Sequence, residues 1–281
     1  MKKKEKEPAY YMTETNIKAI NYNVYYLSVQ EKILYFMIAF IAGAAVAYLF
    51  YGGLGKNEFG EATAVTYGAN TIICSITGLI AAILFLPLRE KQIRRNRNKK
   101  LKLQFRELMD SLVTSINSGK TVVDAFRNAY EDLQIIFTAE SYIVKELEII
   151  NAGMQNNINI ELLLLDFGKR SGDNDILSFA NVFDTCYRKG GNIKDVIKNT
   201  QQIITEKMEI ELKIDTIVSG NKIEQNIMMV MPIALIGIIK GMSPEFAQNF
   251  LTPTGLFSTT FAIGLFIISY FVGKEILDIK I

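Results

Sequence analysis

The sequence predicts an all-α polytopic membrane protein in which apolar stretches flank a polar, helix-patterned middle. Long apolar runs precede residue 89 and follow residue 222, and a membrane-spanning helix needs about 20 such residues. The basic run Arg89–Arg106 (REKQIRRNRNKKLKLQFR) comes directly after the second apolar stretch. No proline occurs between Pro87 and Pro232, so only Gly and Asn punctuate the helices of the middle region.

Composition limits the classes of function. Hydrophobic residues make up 49% of the 281 residues and charged residues 21%, which is too apolar for an ordinary soluble domain and too charged for a chain lying wholly in the membrane. The chain has no His, the usual general base and the commonest metal ligand. The two cysteines, Cys74 and Cys186, fall in different kinds of segment, so we expect two free thiols. We expect no enzyme activity, no metal site and no cofactor.

Hydropathy and charge divide the chain into four segments. Residues 1–32 form a cytoplasmic N-terminal tail. Residues 33–88 form a transmembrane hairpin with spans at about 33–51 and 69–87. Residues 89–222 form a cytoplasmic helical domain. Residues 223–281 form a second transmembrane hairpin, with spans at about 225–240 and 255–273 and a short cytoplasmic tail.

The orientation follows from the distribution of Lys and Arg. Basic residues lie in the N-terminal tail, after the second span and at the C-terminus, while the two loops between paired spans carry almost none. The positive-inside bias therefore places both termini and the middle region in the cytoplasm. A nucleic-acid patch is the other interpretation of the basic run, but next to a span a lipid-headgroup anchor is favoured. The anchor residues are Arg89, Lys91, Arg94, Arg95, Arg97, Lys99 and Lys100.

Helical periodicity and the expected N-terminal caps Thr121, Asp173 and Asn192 predict six helices in the middle region. They cover 104–117, 122–132, 140–155, 160–170 and 174–189, and a last helix begins at Ile193 and can continue unbroken into the third span. Gly119, Gly190 and Gly191 form the turns, and a positive backbone angle is expected at Gly190 or Gly191. In the last helix, residues at alternating four- and three-residue steps have the period of a coiled-coil face, interrupted by Thr200 and Lys207, and packing on its own domain is favoured over a coiled coil. These residues are Val196, Thr200, Ile203, Lys207, Ile210, Ile214 and Ile217.

Small residues recur at four-residue spacing in the first two apolar stretches, including Ala39, Gly43, Ala47, Gly78 and Ala82. This spacing lets helix backbones approach closely, either within the chain or between subunits. Asp, Glu, Arg and Lys are absent from the interior of the predicted spans. A transporter or proton pump usually carries such residues there, so that class is disfavoured.

Three segments resemble the type II secretion F domain of secretion and pilus platform proteins. They are LMDSLVTSINSGKTVVDAFRNA (108–129), DILSFANVFDTCYRKGGNIKDVIKNTQQII (175–204) and KIEQNIMMVMPIAL (222–235). A single copy of the domain with flanking spans is most similar to the TadB and TadC proteins of Tad/Flp pilus assembly. The resemblance extends from about residue 101 to the C-terminus.

The resemblance implies a platform in the bacterial cytoplasmic membrane that couples a cytosolic ATPase to pilin extraction. It implies the ATPase, pilin subunits, a second F-domain platform protein and membrane lipids as partners, a homo- or hetero-oligomer, and no nucleic acid. Candidate partner-binding residues are the charges near the signature segments: Lys120, Arg127, Asp175, Arg188, Lys189, Lys194 and Asp195. Each of them is also explained as solvated surface.

Other functions fit parts of the sequence. The tetrapeptide SGKT at residues 118–121 lacks the earlier glycine of a phosphate-binding loop and lies between two amphipathic helices, so it is predicted to be a turn. A membrane-anchored signalling or adaptor protein with a helical docking domain would show the same topology. A small transporter would need a discontinuous helix, which only Pro232 suggests. Neighbouring genes for an ATPase and a prepilin peptidase would favour the platform.

Overall fold

The structure is a computed structural model that describes residues 7–13, 17–54, 62–243, 249–250 and 252–277. Two short strands pair antiparallel near the N-terminus, and helices make up nearly all of the remaining described chain. The strands are β1 (Tyr10–Met12) and β2 (Lys18–Ile20). The helices are α1 (Val29–Tyr51), α2 (Ala64–Asn117), α3 (Val122–Ile136), α4 (Tyr142–Gln155), α5 (Ile160–Ser171), α6 (Asn174–Lys189), α7 (Ile193–Met242) and α8 (Pro253–Leu277).

The chain divides into two compact units. The first contains the described residues up to Tyr26 together with Arg89–Ile210, and the second contains the described residues of Leu27–Leu88 and Glu211–Ile281. The long helices α2 and α7 each contribute residues to both units. In the expected loops of residues 52–61 and 241–254, residues 55–61, 244–248 and 251 lie outside those described, among them Asn57 and Gln248.

The predicted helices of the middle region are present, with one difference at the beginning. The helix expected from Gln104 is the last part of α2, which runs unbroken from the apolar stretch through Pro87 to Asn117. From Leu88 to Asn117 the sequence contains neither Gly nor Pro and is rich in Arg, Lys and Leu, all strong helix formers. The basic run therefore continues the helix instead of separating two helices.

The expected caps are confirmed at three helix starts. The Thr121 side chain accepts a hydrogen bond from the Asp124 amide, and the Asp173 side chain accepts from the amides of Asp175 and Ile176. Asn192 Oδ1 accepts from the Asp195 amide at 3.4 Å. These bonds satisfy donors that have no partner inside the helix. The SGKT segment is accordingly a turn between α2 and α3, in which Gly119 has a φ of 83°.

The turn between α6 and α7 depends on one glycine. Gly190 has a φ of 73°, and its amide donates to the carbonyl of Cys186. The expected positive backbone angle is thus confirmed at Gly190 and not at Gly191. An added Cβ at Gly190 would meet nothing within 4 Å, so a side chain there is opposed by the backbone angle and not by crowding.

An aromatic cluster lies at the centre of the first unit. The ring of Phe105 lies 5.6 Å from that of Phe179 and 6.2 Å from that of Phe167, and the rings of Phe126 and Phe183 are 6.5 Å apart. All five side chains are at most 2% exposed. These contacts join α2, α3, α5 and α6 into one core, because burying large aromatic side chains dominates the free energy of such packing.

The buried face of α7 differs from the expected one. Ile197, Ile204 and Met208 are buried, whereas Ile203 and Ile210 are each about half exposed. The expectation that Ile203 and Ile210 pack on their own domain was wrong. Ile197 and Ile204 are seven residues apart, as are Ile203 and Ile210, so the spacing of the isoleucines alone could not distinguish the buried face from its neighbour.

The second unit contains four helices that are long and apolar enough to cross a membrane, namely α1 and α8 and the apolar parts of α2 and α7. Helices α1 and α2 approach closely at small residues. A Cβ added at Gly43 would lie 2.7 Å from Ala81 Cβ, and one added at Gly78 would lie 2.8 Å from the ring of Phe40. The small-residue spacing thus serves packing within the chain.

Replacing Gly190 with Val should destabilise the first unit by about 1–2 kcal/mol, because a β-branched residue is strained in the left-handed region. Gly190→Asn should cost less, since Asn visits this region readily. Thermal unfolding of the purified protein measures both effects. Equal melting temperatures for wild type and Gly190→Val would contradict the role of this glycine.

Candidate functional site

The first unit contains a buried ion pair between α4 and α5. Arg170 Nη1 donates to Glu146 Oε1 at 2.9 Å, and Nη2 donates to Oε2 at 2.7 Å, which is the bidentate geometry of strong guanidinium–carboxylate pairs. The side chains of Glu146 and Arg170 are 1% and 4% exposed. Arg170 Nε also donates to Asp166 Oδ2 at 2.7 Å.

This ion pair binds the N-terminal segment. Tyr22 is fully buried, and its hydroxyl donates to Glu146 Oε1 at 3.0 Å. Arg170 Nη1 donates to the carbonyl of Ile20, and the Tyr22 amide donates to the carbonyl of Arg170 at 2.8 Å. The segment after β2 is therefore held by side-chain and backbone bonds to helices about 120 to 150 residues away in sequence. It is part of the first unit's core.

Burial and hydrogen bonding together determine which groups at the ion pair are charged. Burial raises the pKa of the Glu146 carboxyl, and the hydrogen bonds from Arg170 oppose that rise. Burial lowers the pKa of Arg170, but its bonds to Glu146 outweigh this effect, so the net shift is upward and the guanidinium stays charged. Burial and the nearby Glu146 carboxylate raise the pKa of Tyr22, so its hydroxyl remains a donor.

Arg97 makes a second connection to the N-terminal segment. Its Nη2 donates to the carbonyls of Asn21 and Val24, and its guanidinium lies over the rings of Tyr22 and Tyr25. The sequence grouped Arg97 with the lipid anchors, yet this side chain contacts protein. Arg94 also donates to the backbone, at the carbonyl of Asn23.

The other basic residues of the run differ in exposure. Lys91, Arg95, Lys99 and Lys100 are exposed on α2, and Arg89 is partly buried and donates to Gln92 at 2.9 Å. Binding of lipid headgroups by any of these residues stays a prediction.

Asp175, a candidate contact residue, is only 18% exposed and pairs with two lysines. Lys102 Nζ lies 3.3 Å from its carboxylate, and Lys207 Nζ donates to Oδ1. Burial raises the pKa of Asp175, but the two lysines outweigh it and the net shift is downward. These bonds connect α2, α6 and α7, so Asp175 has an internal structural role.

The directions of three helices place two turns at one end of the first unit. Lys102 and Phe105 of α2 contact Asp175 and Phe179 of α6, so these helices run parallel. Gln201 of α7 donates to Asp110 of α2 at 2.6 Å, while Lys207 pairs with Asp175 near Lys102, so α7 runs antiparallel to both. The C-terminal ends of α2 and α6 and the beginning of α7 therefore meet.

We call this end of the first unit the tip surface. It contains six of the seven candidate contact residues: Lys120, Arg127, Arg188, Lys189, Lys194 and Asp195, all exposed. Asp175 is separated from Gly190 by about 22 Å, from a rise of about 1.5 Å per residue along α6. The structure thus brings six candidates together and leaves Asp175 outside the group.

Only part of the charge on the tip surface is neutralised by neighbours. Arg188 pairs with Asp184 at 2.8 Å, and Arg127 lies 3.8 Å from Asp124. In the described part of the chain, Lys120, Lys189 and Lys194 have no carboxylate within 4 Å. Lys189, in the last turn of α6, also complements the dipole of that helix, which is worth about 0.3–1 kcal/mol. The tip surface can therefore attract an anionic partner through three available ammonium groups.

Sequence reasoning did not single out Glu146, Arg170 or Tyr22. A signal was present, because Glu146 shares its helix face with Ile143, Leu147 and Ile150, and a charge on an apolar face requires a partner. The identity of that partner was not accessible, since Arg170 and Tyr22 come from other elements.

Comparisons with known proteins add no relative: no protein-family model, curated protein or solved structure matches the chain.

Replacing Arg170 with Met should destabilise the protein by about 3–5 kcal/mol, because Glu146 would be left buried without its charge partner. The double variant Glu146→Leu/Arg170→Met should be more stable than the single variant, since it removes both charges together. Arg188→Met, which breaks the exposed pair with Asp184, should cost under about 1 kcal/mol. Denaturant unfolding measures all three, and an Arg170→Met variant as stable as wild type would contradict the role of the buried ion pair.

Asp175 should make stability depend on pH in the acid range. Its folded pKa lies below the unfolded value of about 3.9, so its contribution is present above that value and is lost as pH falls through the folded pKa. The difference in melting temperature between wild type and Asp175→Asn should be constant near neutral pH and shrink below about pH 4. Lys207→Met should weaken this dependence. A difference that persists unchanged to pH 3 would contradict the pairing.

Proposed function

We propose that the chain is a platform protein of the bacterial cytoplasmic membrane that couples a cytosolic ATPase to assembly of a Tad-type or related pilus, or of a secretion pseudopilus. The observation that carries the proposal is the position of the helical unit in the chain. A helical unit with its own core is encoded between apolar helices that can cross a membrane, and its tip surface holds uncompensated lysines. The F-domain resemblance of the same segments supplies the identity of the partners.

The proposed topology has two transmembrane hairpins. The pairs α1–α2 and α7–α8 each cross and recross the membrane, so both termini and the first unit lie in the cytoplasm. The support is the excess of Lys and Arg on one side of the predicted spans. The exposed basic residues of α2 would then bind anionic headgroups beside the second span.

The proposed division of labour assigns binding to the tip surface and force transmission to the helices. Lys120, Lys189 and Lys194 would engage an acidic face of the ATPase, because complementary charge accelerates encounter and fixes register. Helix α7 contains Lys194 and the apolar part of one span. Helix α2 contains the apolar part of another span and ends three residues before Lys120. The spans would contact pilin subunits and a second F-domain platform protein.

The alternative is a membrane-anchored adaptor in signalling. The fully buried ion pair at Glu146 and the packed core suit a rigid docking domain equally well. The two functions differ in the partner that the tip surface recognises and in the effect of deleting the gene. Normal pilus assembly in a deletion strain, or ATP hydrolysis by the purified chain alone, would exclude the platform.

Charge reversal on the tip surface should weaken association with the ATPase. We expect Lys189→Glu/Lys194→Glu to lower the affinity about tenfold or more, with a larger loss at low ionic strength, because exposed charges are screened by salt. Binding of the ATPase to purified protein in nanodiscs measures the effect.

The matched control is Lys18→Glu/Lys169→Glu. Both lysines are exposed on the first unit away from the tip surface, Lys18 on β2 and Lys169 on α5, where the Lys169 carbonyl accepts from Asn23. Equal losses of affinity for both double variants would show that the tip surface is not the contact site.

Labelling of introduced cysteines should test the topology. After Cys74 and Cys186 are replaced with Ser, a Cys at Asn57 or Gln248 should react with a membrane-impermeant maleimide added to intact cells, and a Cys at Asn156 should react only after lysis. The reverse pattern would exclude the proposed orientation.

A further inference from the structure

The second unit contains an apolar cavity of about 460 Å³. Its lining comes from all four candidate membrane-spanning helices: Val46 and Phe50 of α1, Leu84 of α2, residues of α7 around Pro232, and residues of α8 from Ala262 to Phe271. The volume lies within the range of about 300–1,000 Å³ typical of ligand sites. The cavity is only partly enclosed, so a ligand could enter from the side.

The chemistry of the lining restricts the occupant. Every lining side chain is apolar except for the hydroxyl of Tyr270, and no charged residue is among them. A polar ligand would lose its hydrogen bonds to water without replacement, which makes binding unfavourable. The occupant must therefore be a hydrocarbon group.

The length of the cavity distinguishes between the two hydrocarbon groups that a bilayer offers. The lining extends from Met229 to Ile236 on α7 and from Ala262 to Phe271 on α8, about 10 and 13 Å at a rise of about 1.5 Å per residue. A partner's transmembrane helix would need a groove through about 30 Å of hydrocarbon. A lipid chain needs only one leaflet, about half that depth.

Polar groups lie next to one end of the cavity. Lys240 Nζ donates to the carbonyls of Leu49 and Phe50 at 2.8 Å. The side chain of Phe50 lines the cavity, so the ammonium group lies next to it. Tyr51 Oη and Thr260 Oγ1 lie 2.9 Å apart at the same level. Lysine and tyrosine prefer the interface between hydrocarbon and water, so this end lies where a lipid headgroup would be.

We propose that this cavity binds one acyl chain of a membrane phospholipid. The lipid fills the space among the four helices. Without it, the side chains that line the cavity would lose dispersion contacts. It contributes to the packing of the second unit as a structural ligand. The proposal does not depend on the platform function.

The chain contains no Trp, so a single introduced Trp reports on one position. Phe50→Trp places the reporter in the cavity, where Phe50 is 9% exposed. Phe261→Trp is the control, because Phe261 is 63% exposed, does not line the cavity, and lies next to Thr260 at the depth of Tyr51. Each variant is purified in detergent and titrated with a phospholipid that carries brominated acyl chains, which quench Trp fluorescence on contact.

Quenching of the Phe50→Trp reporter should saturate at about one bound lipid per protein, as expected for a cavity of this size. Quenching of Phe261→Trp should rise with the lipid fraction of the micelle without saturation. Adding Ala262→Phe to fill the cavity should raise the half-quenching lipid ratio about tenfold or more, since overpacking costs about 1–3 kcal/mol. Ser269→Phe, outside the lining, should leave it unchanged. Identical titrations for both reporters, or no effect of Ala262→Phe in a protein of unchanged helical content, would overturn the proposal.

Discussion

The first unit depends on the buried bidentate pair between Glu146 and Arg170. It joins α4 to α5, and through Tyr22 and Ile20 it holds the segment that follows the two-stranded hairpin. Charges this deeply buried are tolerated only when every polar group is satisfied, and here the guanidinium donates to two carboxylates and a carbonyl. The N-terminal segment is therefore needed to complete the domain, since without it Glu146 loses a donor and the Arg170 guanidinium an acceptor.

Because of this packing, the charged side chains of the first unit fall into two groups: those bonded within the unit and those available to a partner. At one end, Arg97, Arg170 and Asp175 are engaged in bonds within the unit. At the tip surface, Lys120, Lys189 and Lys194 project from helix ends with no carboxylate within reach in the described residues. A partner that recognises charge would therefore make its contacts at the tip surface. The lysines lie together there because α2 and α6 run parallel and α7 runs antiparallel to both.

Local signals in the sequence predicted the helices well. Thr121 and Asp173 mark helix starts through hydrogen bonds within three residues, and Gly190 marks an end through its own backbone angle. The buried face of α7 was assigned to the wrong residues because two neighbouring faces carry Ile at the same spacing. The site was predicted in part, because the charges at the tip surface were named from the sequence. Asp175 and Arg97 instead bind partners that only folding brings near them. Tyr22 and Glu146 are separated by 124 residues, so no local sequence pattern predicts their contact.

Affinity capture of the tagged, full-length protein from membranes, followed by identification of its partners by mass spectrometry, tests the platform function most directly. The platform account predicts that a cytosolic ATPase and pilin subunits are retained with the wild-type protein. Retention of signalling proteins in their place, with neither the ATPase nor pilin recovered from cells that are assembling pili, would contradict it.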